Sequence, residues 1–140
     1  MRLDVLAVAA AIASPTAALG INCRGSAACS SADFPDAARE LASLIWTIPD
    51  DRWFNNGQQI ACTKRVGVLG AVCAFYQNTG GWQAKRAKDI VGHLVAHNCK
   101  VCGSVPTDYP NSNDVKNGQL TFNYVASPCT SIFASRGSVC

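Results

Sequence analysis

The chain has 140 residues, of which 49% are hydrophobic and 15% charged, with 8 cysteines and a formal net charge of +3. This length fits one domain with a modest core and excludes a large multidomain enzyme. The apolar content excludes a disordered chain, and the small, mixed charge argues against a dedicated nucleic-acid binder. A dense, even set of cysteines indicates an oxidising compartment and a framework of disulfides.

Residues 1–18 have the pattern of a secretory signal peptide. A positive charge at Arg2 precedes a short apolar stretch, residues 5–13, and small alanines end the segment. The apolar stretch is too short to remain as a membrane anchor. We therefore expect export from the cell, no stable insertion in a membrane, and a single mature domain over residues 19–140.

A first amphipathic helix is predicted after Asp33, which is a suitable N-cap residue. Pro35 fits the first turn, and Pro49 ends the helix. Trp46 falls outside the apolar face. That face has helical spacing and contains Ala37, Ala38, Leu41, Leu44, Ile45 and Ile48.

A second amphipathic helix is predicted from about Gln83 to Asn98. Gly92 lies in its middle and costs about 1 kcal/mol relative to alanine, so we interpret it as a place where a neighbour approaches closely. The apolar face contains Ala84, Ala87, Ile90, Val91, Leu94 and Val95. The polar face contains Lys85, Arg86, Lys88, Asp89, His93 and His97.

Four runs of residues have strand character, and a turn signal predicts a fifth. The runs are Gln59–Thr63, Val72–Tyr76, Lys100–Val105 and Gln119–Val125. Asn117-Gly118 is a strong hairpin signal, so we expect a short strand at Asp114–Lys116 that pairs through this turn. Trp53, Phe54 and Trp82 fall in loop-like segments.

The order of these elements is not a strict alternation of strand and helix, which predicts an α+β fold. We expect a mostly antiparallel sheet of about five strands with both one-sided helices on one face. The disulfides would staple this small domain.

The spacing of the cysteines narrows their pairing without fixing all of it, since eight cysteines allow 105 combinations. Cys62 and Cys73 lie in neighbouring strand-like runs, which makes a cross-hairpin bond plausible. Two further cysteines, Cys99 and Cys102, are too close to pair comfortably within a strand, so each needs a distant partner. Cys23 and Cys29 are available for them, and Cys129 and Cys140 would then close the C-terminal tail.

Three stretches of sequence resemble the killer protein 4 family, small secreted toxins first met as virus-encoded products of smut fungi. The first runs from Leu19-Gly20-Ile21-Asn22-Cys23-Arg24-Gly25-Ser26 to Cys29. The second runs from Leu94 to Ser104, with His97-Asn98-Cys99-Lys100-Val101-Cys102 at its centre. The third comprises Asn113-Asp114-Val115 and then Gly118-Gln119-Leu120-Thr121-Phe122-Asn123-Tyr124-Val125.

The resemblance implies a two-layer α/β sandwich, an antiparallel sheet with two antiparallel helices on one side. It also implies that Cys23 pairs with Cys99 and Cys29 with Cys102. For activity, it implies growth inhibition of susceptible fungi through interference with calcium uptake by channels.

The histidines and cysteines give weaker support to an enzymatic or metal-binding function than to a toxin of this family. Cys99 and Cys102 beside His97 could form half of a zinc site, but a matching second pair is missing. His93 and His97 are four residues apart, but the glutamate of a metalloprotease helix is absent between them. A histidine with Glu40 could serve as the acid–base pair of a small ribonuclease. We expect no cofactor, no metal and no catalytic residue.

The distribution of charge suggests where a partner binds. The stretch 33–51 has five acidic residues against one basic, whereas 62–100 is rich in basic residues. A basic surface could steer the protein to an anionic target, although ordinary solubilising charge is an equal reading. The predicted target-binding residues are Lys64, Arg65, Lys85, Arg86, Lys88 and Lys100.

The sequence thus predicts a secreted, monomeric, killer-toxin-like protein that binds a target-cell surface protein, such as a calcium channel, and inhibits competing fungi. In this interpretation it has no nucleic-acid partner. The first alternative is an effector of fungal virulence that acts on a plant host without direct toxicity. The second is a small secreted hydrolase.

Overall fold

The computed structural model describes residues 20–140, so the predicted signal peptide and its cleavage site lie outside the described residues. Within this range the chain forms two helices, a five-stranded sheet and a two-stranded sheet. The helices are α1 (Ala37–Ile45) and α2 (Ala84–Ala96). The strands are β1 (Trp53–Phe54), β2 (Gln59–Cys62), β3 (Ala71–Gln77), β4 (Trp82–Gln83), β5 (Gly103–Pro106), β6 (Gln119–Val125) and β7 (Ser138–Val139).

The main sheet is antiparallel throughout, with the strand order β5-β6-β3-β2-β7. Strands β3 and β6 pair over their full lengths, from Ala71 opposite Val125 to Gln77 opposite Gln119. Strands β5 and β7 form the two edges. The predicted α+β class with a largely antiparallel sheet is confirmed.

Both helices pack on one face of this sheet and run in opposite directions. The amide of Ala38, early in α1, donates to the carbonyl of Lys100, just after α2, at 3.0 Å. At the other end, the Lys88 ammonium lies 5.9 Å from the Trp46 ring centre. The core between the layers contains Leu41, Ile45, Ile90 and Leu94 from the helices and Ile60, Val72, Tyr76, Leu120 and Phe122 from the sheet.

The predicted start and end of the first helix were wrong by several residues. Asp33 is not the N-cap; Asp36 is, in a left-handed conformation with φ 58°. The residues before it form turns that bury Phe34 in the core. At the other end, Ile48 donates to the Ile45 carbonyl three residues back, so the last turn tightens while Ile48 stays buried.

The strand predicted at Asp114–Lys116 does not form, because β6 pairs instead with β5. Asn117-Gly118 does turn the chain into β6, but the residues before it pass into a loop. There the Gly118 amide donates to Val115 and its carbonyl accepts from Thr107. The aromatic residues placed in loops instead form the two-stranded sheet, with Trp53 opposite Gln83 and Phe54 opposite Trp82.

Gly92 does not mark a close approach. A Cβ atom built at Gly92 would meet nothing within 4 Å, and the position is exposed to solvent. The close approach lies at Gly103 instead, where a Cβ would come within 2.5 Å of the Asn22 carbonyl oxygen.

All eight cysteines form disulfides. Cys23–Cys99 and Cys29–Cys102 join the N-terminal segment to the chain after α2. Cys62–Cys73 links opposite residues of β2 and β3, and Cys129–Cys140 closes the C-terminal tail. Each bond contributes on the order of 2–4 kcal/mol, which is large against the net stability of a small domain.

No helix within residues 20–140 is both long enough and apolar enough to cross a membrane.

Candidate functional site

The six basic residues predicted to bind a target lie in three separate places. Lys64 and Arg65 follow β2, at the start of its connection to β3. Three others, Lys85, Arg86 and Lys88, are on α2. Lys100 lies in the segment after α2, beside a small cavity of about 50 Å³.

The first place is an open cavity of about 430 Å³ beside the N-terminal end of α1, which we call the basic cavity. It is lined by the cations Lys64, Arg65 and Arg136 and by the carboxylates Asp33 and Glu40. Arg136 comes from the C-terminal loop, which brings it to Lys64 from far along the chain.

Hydrogen bonds shape this cavity and decide which of its charges remain available. Arg65 is held, because its Nε donates to the Thr130 carbonyl at 2.8 Å. Glu40 is also held, since its Oε2 accepts from the Gly137 amide at 3.0 Å. Within residues 20–140, the side chains of Lys64 and Arg136 make no ion pair or hydrogen bond, and both are exposed. These two cations are free to meet a partner.

The cations of α2 are occupied by partners within the protein. Lys85 pairs with Asp89 one turn away at 3.3 Å. Lys88 pairs with Asp50 at 2.7 Å, and only 12% of the Lys88 side chain is exposed. The polar face predicted for α2 is therefore correct for Lys85, but Lys88 is largely covered.

The Lys88 ammonium holds the pKa of Asp50 below its ordinary value, first by its hydrogen bond and then by its charge. The Asp50 backbone carbonyl also accepts from the Lys85 amide at 3.0 Å. This loop residue therefore joins the end of α1 to the start of α2.

Arg86 is held against the ring of Trp82. Its guanidinium lies 5.0 Å from the Trp82 ring centre and donates to the Thr107 carbonyl at 3.3 Å. Beside it, Trp53 and Trp82 line an open cavity of about 340 Å³. The indole nitrogen of Trp82 is buried and has no hydrogen-bond partner among the described residues. The cations that line it, Lys85 and Arg86, already have partners within the protein, so this surface is less suited to steering than the basic cavity.

Neither histidine contacts Glu40 among the described residues. His93 packs edge-on against Tyr109, 4.8 Å between ring centres, beyond the end of β5. Glu40 instead contacts Gly137, next to β7. Because β5 and β7 are opposite edges of the main sheet, His93 and Glu40 do not form an acid–base pair. His97 is exposed, and its side chain makes no hydrogen bond or ion pair with Glu40 within residues 20–140.

The sulfur atoms of the suggested zinc half-site are already bonded. Cys99 and Cys102 are joined to Cys23 and Cys29. The sulfurs of Cys62, Cys129 and Cys140 do lie within 4.8 Å of one another, but each belongs to a disulfide. A disulfide sulfur is not a thiolate, which is the form that binds metal.

Arg136 was missed from the predicted set. It is 71 positions beyond Arg65 in the chain, outside the basic stretch that the charge pattern singled out. The available signal was the Cys129–Cys140 pair, which bends the tail back on the domain.

Two comparisons with known proteins agree with each other. The family model described as Kp4 matches residues 6–126. The chain is also similar to the KP4 killer toxin of the Ustilago maydis P4 virus, with 37% identity over 124 residues. That match covers 85% of this chain and 90% of the toxin.

Proposed function

The chain belongs to the Kp4 family, and from this premise we propose that it is secreted, binds the surface of target cells and inhibits the growth of competing fungi. The observation that carries the proposal is the 37% identity to a killer toxin over most of both chains. Four disulfides support export, since such frameworks persist in oxidising compartments.

The proposed action requires docking and no chemistry on the target. A rigid scaffold that presents cations can be steered to an anionic site, such as the acidic entrance of a calcium channel. We assign this contact to the basic cavity, because Lys64 and Arg136 are exposed and form no ion pair within the described residues. Reduced calcium entry would then stop growth of the cell.

The test compares the native protein with the double charge reversal Lys64→Glu and Arg136→Glu. Growth of sensitive fungal cells and uptake of calcium by those cells are measured over a range of doses. We expect the double variant to need at least about a tenfold higher dose for both effects, because charge reversal removes both steering and contact.

The matched control reverses Lys85 and Lys116, which gives the same change in net charge elsewhere on the surface. It should act at the native dose, and circular dichroism should show both variants folded. Equal potency of the Lys64/Arg136 variant would overturn the assignment to the basic cavity. A response of plant tissue with unaffected fungal growth would support the effector alternative instead.

A further inference from the structure

Two neighbouring loops at one end of the main sheet expose large apolar side chains. The loops are residues 64–70, between β2 and β3, and residues 130–137, before β7; together we call them the loop pair. Val68 is 83% exposed and Phe133 is 90% exposed, and Leu69 and Ile132 are each more than half exposed. Several large apolar residues exposed on neighbouring loops are typical of an interaction site.

The pairing of β2 with β7 sets the two loops side by side. Since these strands are antiparallel neighbours, with Cys62 opposite Ser138, the chain leaves β2 and enters β7 at the same end. Two hydrogen bonds join the bases of the loops. Thr130 donates its hydroxyl to the Thr63 carbonyl at 2.9 Å, and its own carbonyl accepts from Arg65.

Each loop carries its apolar residues on a tight turn. The Leu69 amide donates to the Val66 carbonyl at 2.9 Å, which places Val68 inside that turn. The Ala134 amide donates to the Ser131 carbonyl at 3.1 Å, with Ile132 and Phe133 between them. Turn positions usually hold glycine, asparagine, aspartate or serine. The apolar side chains at these turn positions face solvent and do not pack in the core.

Disulfides hold the loop pair in place. Cys62–Cys73 closes the first loop and Cys129–Cys140 closes the second. The Cys62 and Cys140 sulfurs are 3.7 Å apart, so the two bonds also touch each other. A surface that is ordered before it binds loses less conformational entropy on binding.

The charge of the loop pair is entirely positive. It contains Lys64, Arg65 and Arg136 and no acidic residue. Two carboxylates, Asp33 and Glu40, line the basic cavity beside it, and Glu40 accepts a hydrogen bond from the Gly137 amide. Apolar side chains flanked by lysine and arginine are the combination that binds at the surface of an anionic bilayer.

We propose that the loop pair is a membrane-docking surface. The side chains of Val68, Leu69, Ile132 and Phe133 enter the boundary between headgroups and acyl chains, and the positive charge beside them attracts anionic headgroups. The docking is shallow and reversible. A bilayer suits this surface, because protein segments that lie at a membrane interface combine Phe and Leu side chains with Lys and Arg in the same way.

The biological role of this docking rests on the proposed function, since binding to the bilayer would concentrate the protein near a target in the membrane. The test itself needs no target cell. The full oxidised protein is sedimented with vesicles of phosphatidylcholine alone and of phosphatidylcholine mixed with phosphatidylserine. The native protein should bind the mixed vesicles more strongly, and added salt should weaken that binding.

The test variant carries Val68→Ser and Phe133→Ser, and it keeps all cations. Because both side chains are exposed, the fold should be unchanged. Its binding to the mixed vesicles should fall by at least about tenfold, because two apolar side chains that would enter the bilayer are lost. The control Trp46→Ser removes an exposed aromatic at the far end of α1 and should bind as the native protein does.

Native protein that fails to sediment with the mixed vesicles overturns the docking proposal, even if it still inhibits growth. Equal binding by the Val68/Phe133 variant overturns it as well. If the native protein binds vesicles but inhibits no fungus, docking stands and the proposed function fails. Loss of growth inhibition by a variant with unchanged vesicle binding would mean that the apolar residues contact a protein.

Discussion

The Lys88 ammonium lies 2.7 Å from the Asp50 carboxylate, although 38 positions separate the two residues in the chain. The pair joins the loop after α1 to α2, and Lys88 also lies over the Trp46 ring. Lys88, which the charge pattern predicted to bind a target, therefore has a structural role, whereas Lys64 and Arg136 remain available.

Replacing Asp50 with asparagine should remove a pH-dependent part of the stability. The folded pKa of Asp50 is lowered, so its ion pair stabilises the fold above the ordinary aspartate pKa of about 3.9. That contribution is lost as pH falls through the lowered pKa. Native protein and Asp50→Asn should therefore differ in unfolding temperature near neutral pH and converge in strong acid. Asp51→Asn, which removes an exposed neighbour without an ion pair among the described residues, should keep the native profile.

Gly92→Ala should raise the free energy of unfolding by about 0.5–1 kcal/mol, because alanine is the better helix former and the new methyl group meets open space. Denaturant unfolding monitored by circular dichroism measures this. The comparison is Gly103→Ala, whose methyl group would collide with the Asn22 carbonyl and should destabilise. A destabilising result at Gly92 would contradict the exposed position that the structure assigns to it.

Removal of the two N-terminal disulfides should be strongly non-additive. With Cys29–Cys102 intact, Cys23–Cys99 closes only a short ring, because six positions separate the first two cysteines and three separate the others. In the chain-entropy treatment, replacing the cysteines of one disulfide with serine lowers the free energy of unfolding by about 2.6 kcal/mol. Replacing those of both disulfides lowers it by about 7 kcal/mol. The double loss thus exceeds the sum of the single losses by about 2 kcal/mol.

The measurement is a double-mutant cycle of unfolding free energies with the other two disulfides kept oxidised. Non-reducing peptide mapping should first verify the four pairs in the native protein. Additive losses of unfolding free energy would contradict the close, parallel arrangement of Cys23–Cys99 and Cys29–Cys102.

Tyr76→Phe should cost about 1 kcal/mol at neutral pH, because the buried hydroxyl donates to the Gln83 carbonyl at 2.7 Å. Burial also raises the pKa of Tyr76, so the unfolded chain loses this proton first as the solution becomes alkaline. Stability of the native protein should therefore fall above about pH 10, and the variant should lose less over that range.

Denaturant unfolding at neutral and alkaline pH measures both effects. Tyr109→Phe is the control, since the Tyr109 hydroxyl makes no hydrogen bond within residues 20–140. A parallel alkaline loss in the native protein and in Tyr76→Phe would argue against burial of this side chain.

Much of the fold could be predicted because its signals are local. The seven residues of β6 were located by their alternating pattern, and the apolar face of α2 by its helical period. The prediction of a strand at Asp114–Lys116 was wrong, because a turn signal does not determine which strand pairs with β6. The short strands at Trp53 and Ser138 have too few residues to show a period.

The candidate site was less predictable, because availability of a charge depends on its neighbours in space. Nothing near Lys88 in the chain indicates that Asp50 covers it, and nothing near Lys64 indicates that Arg136 joins it. The separation of Glu40 from His93 likewise follows from the strand order and not from either residue.

The amino-acid sequence by itself determined the α+β class, the two one-sided helices, the dense cysteine framework and the resemblance to the killer toxins. Each of these is encoded in residue type and spacing over short stretches. Only the tertiary structure decided which cations are free and which apolar residues, such as Val68 and Phe133, face solvent. Those properties depend on strand order and on contacts between distant parts of the chain, which no local pattern contains.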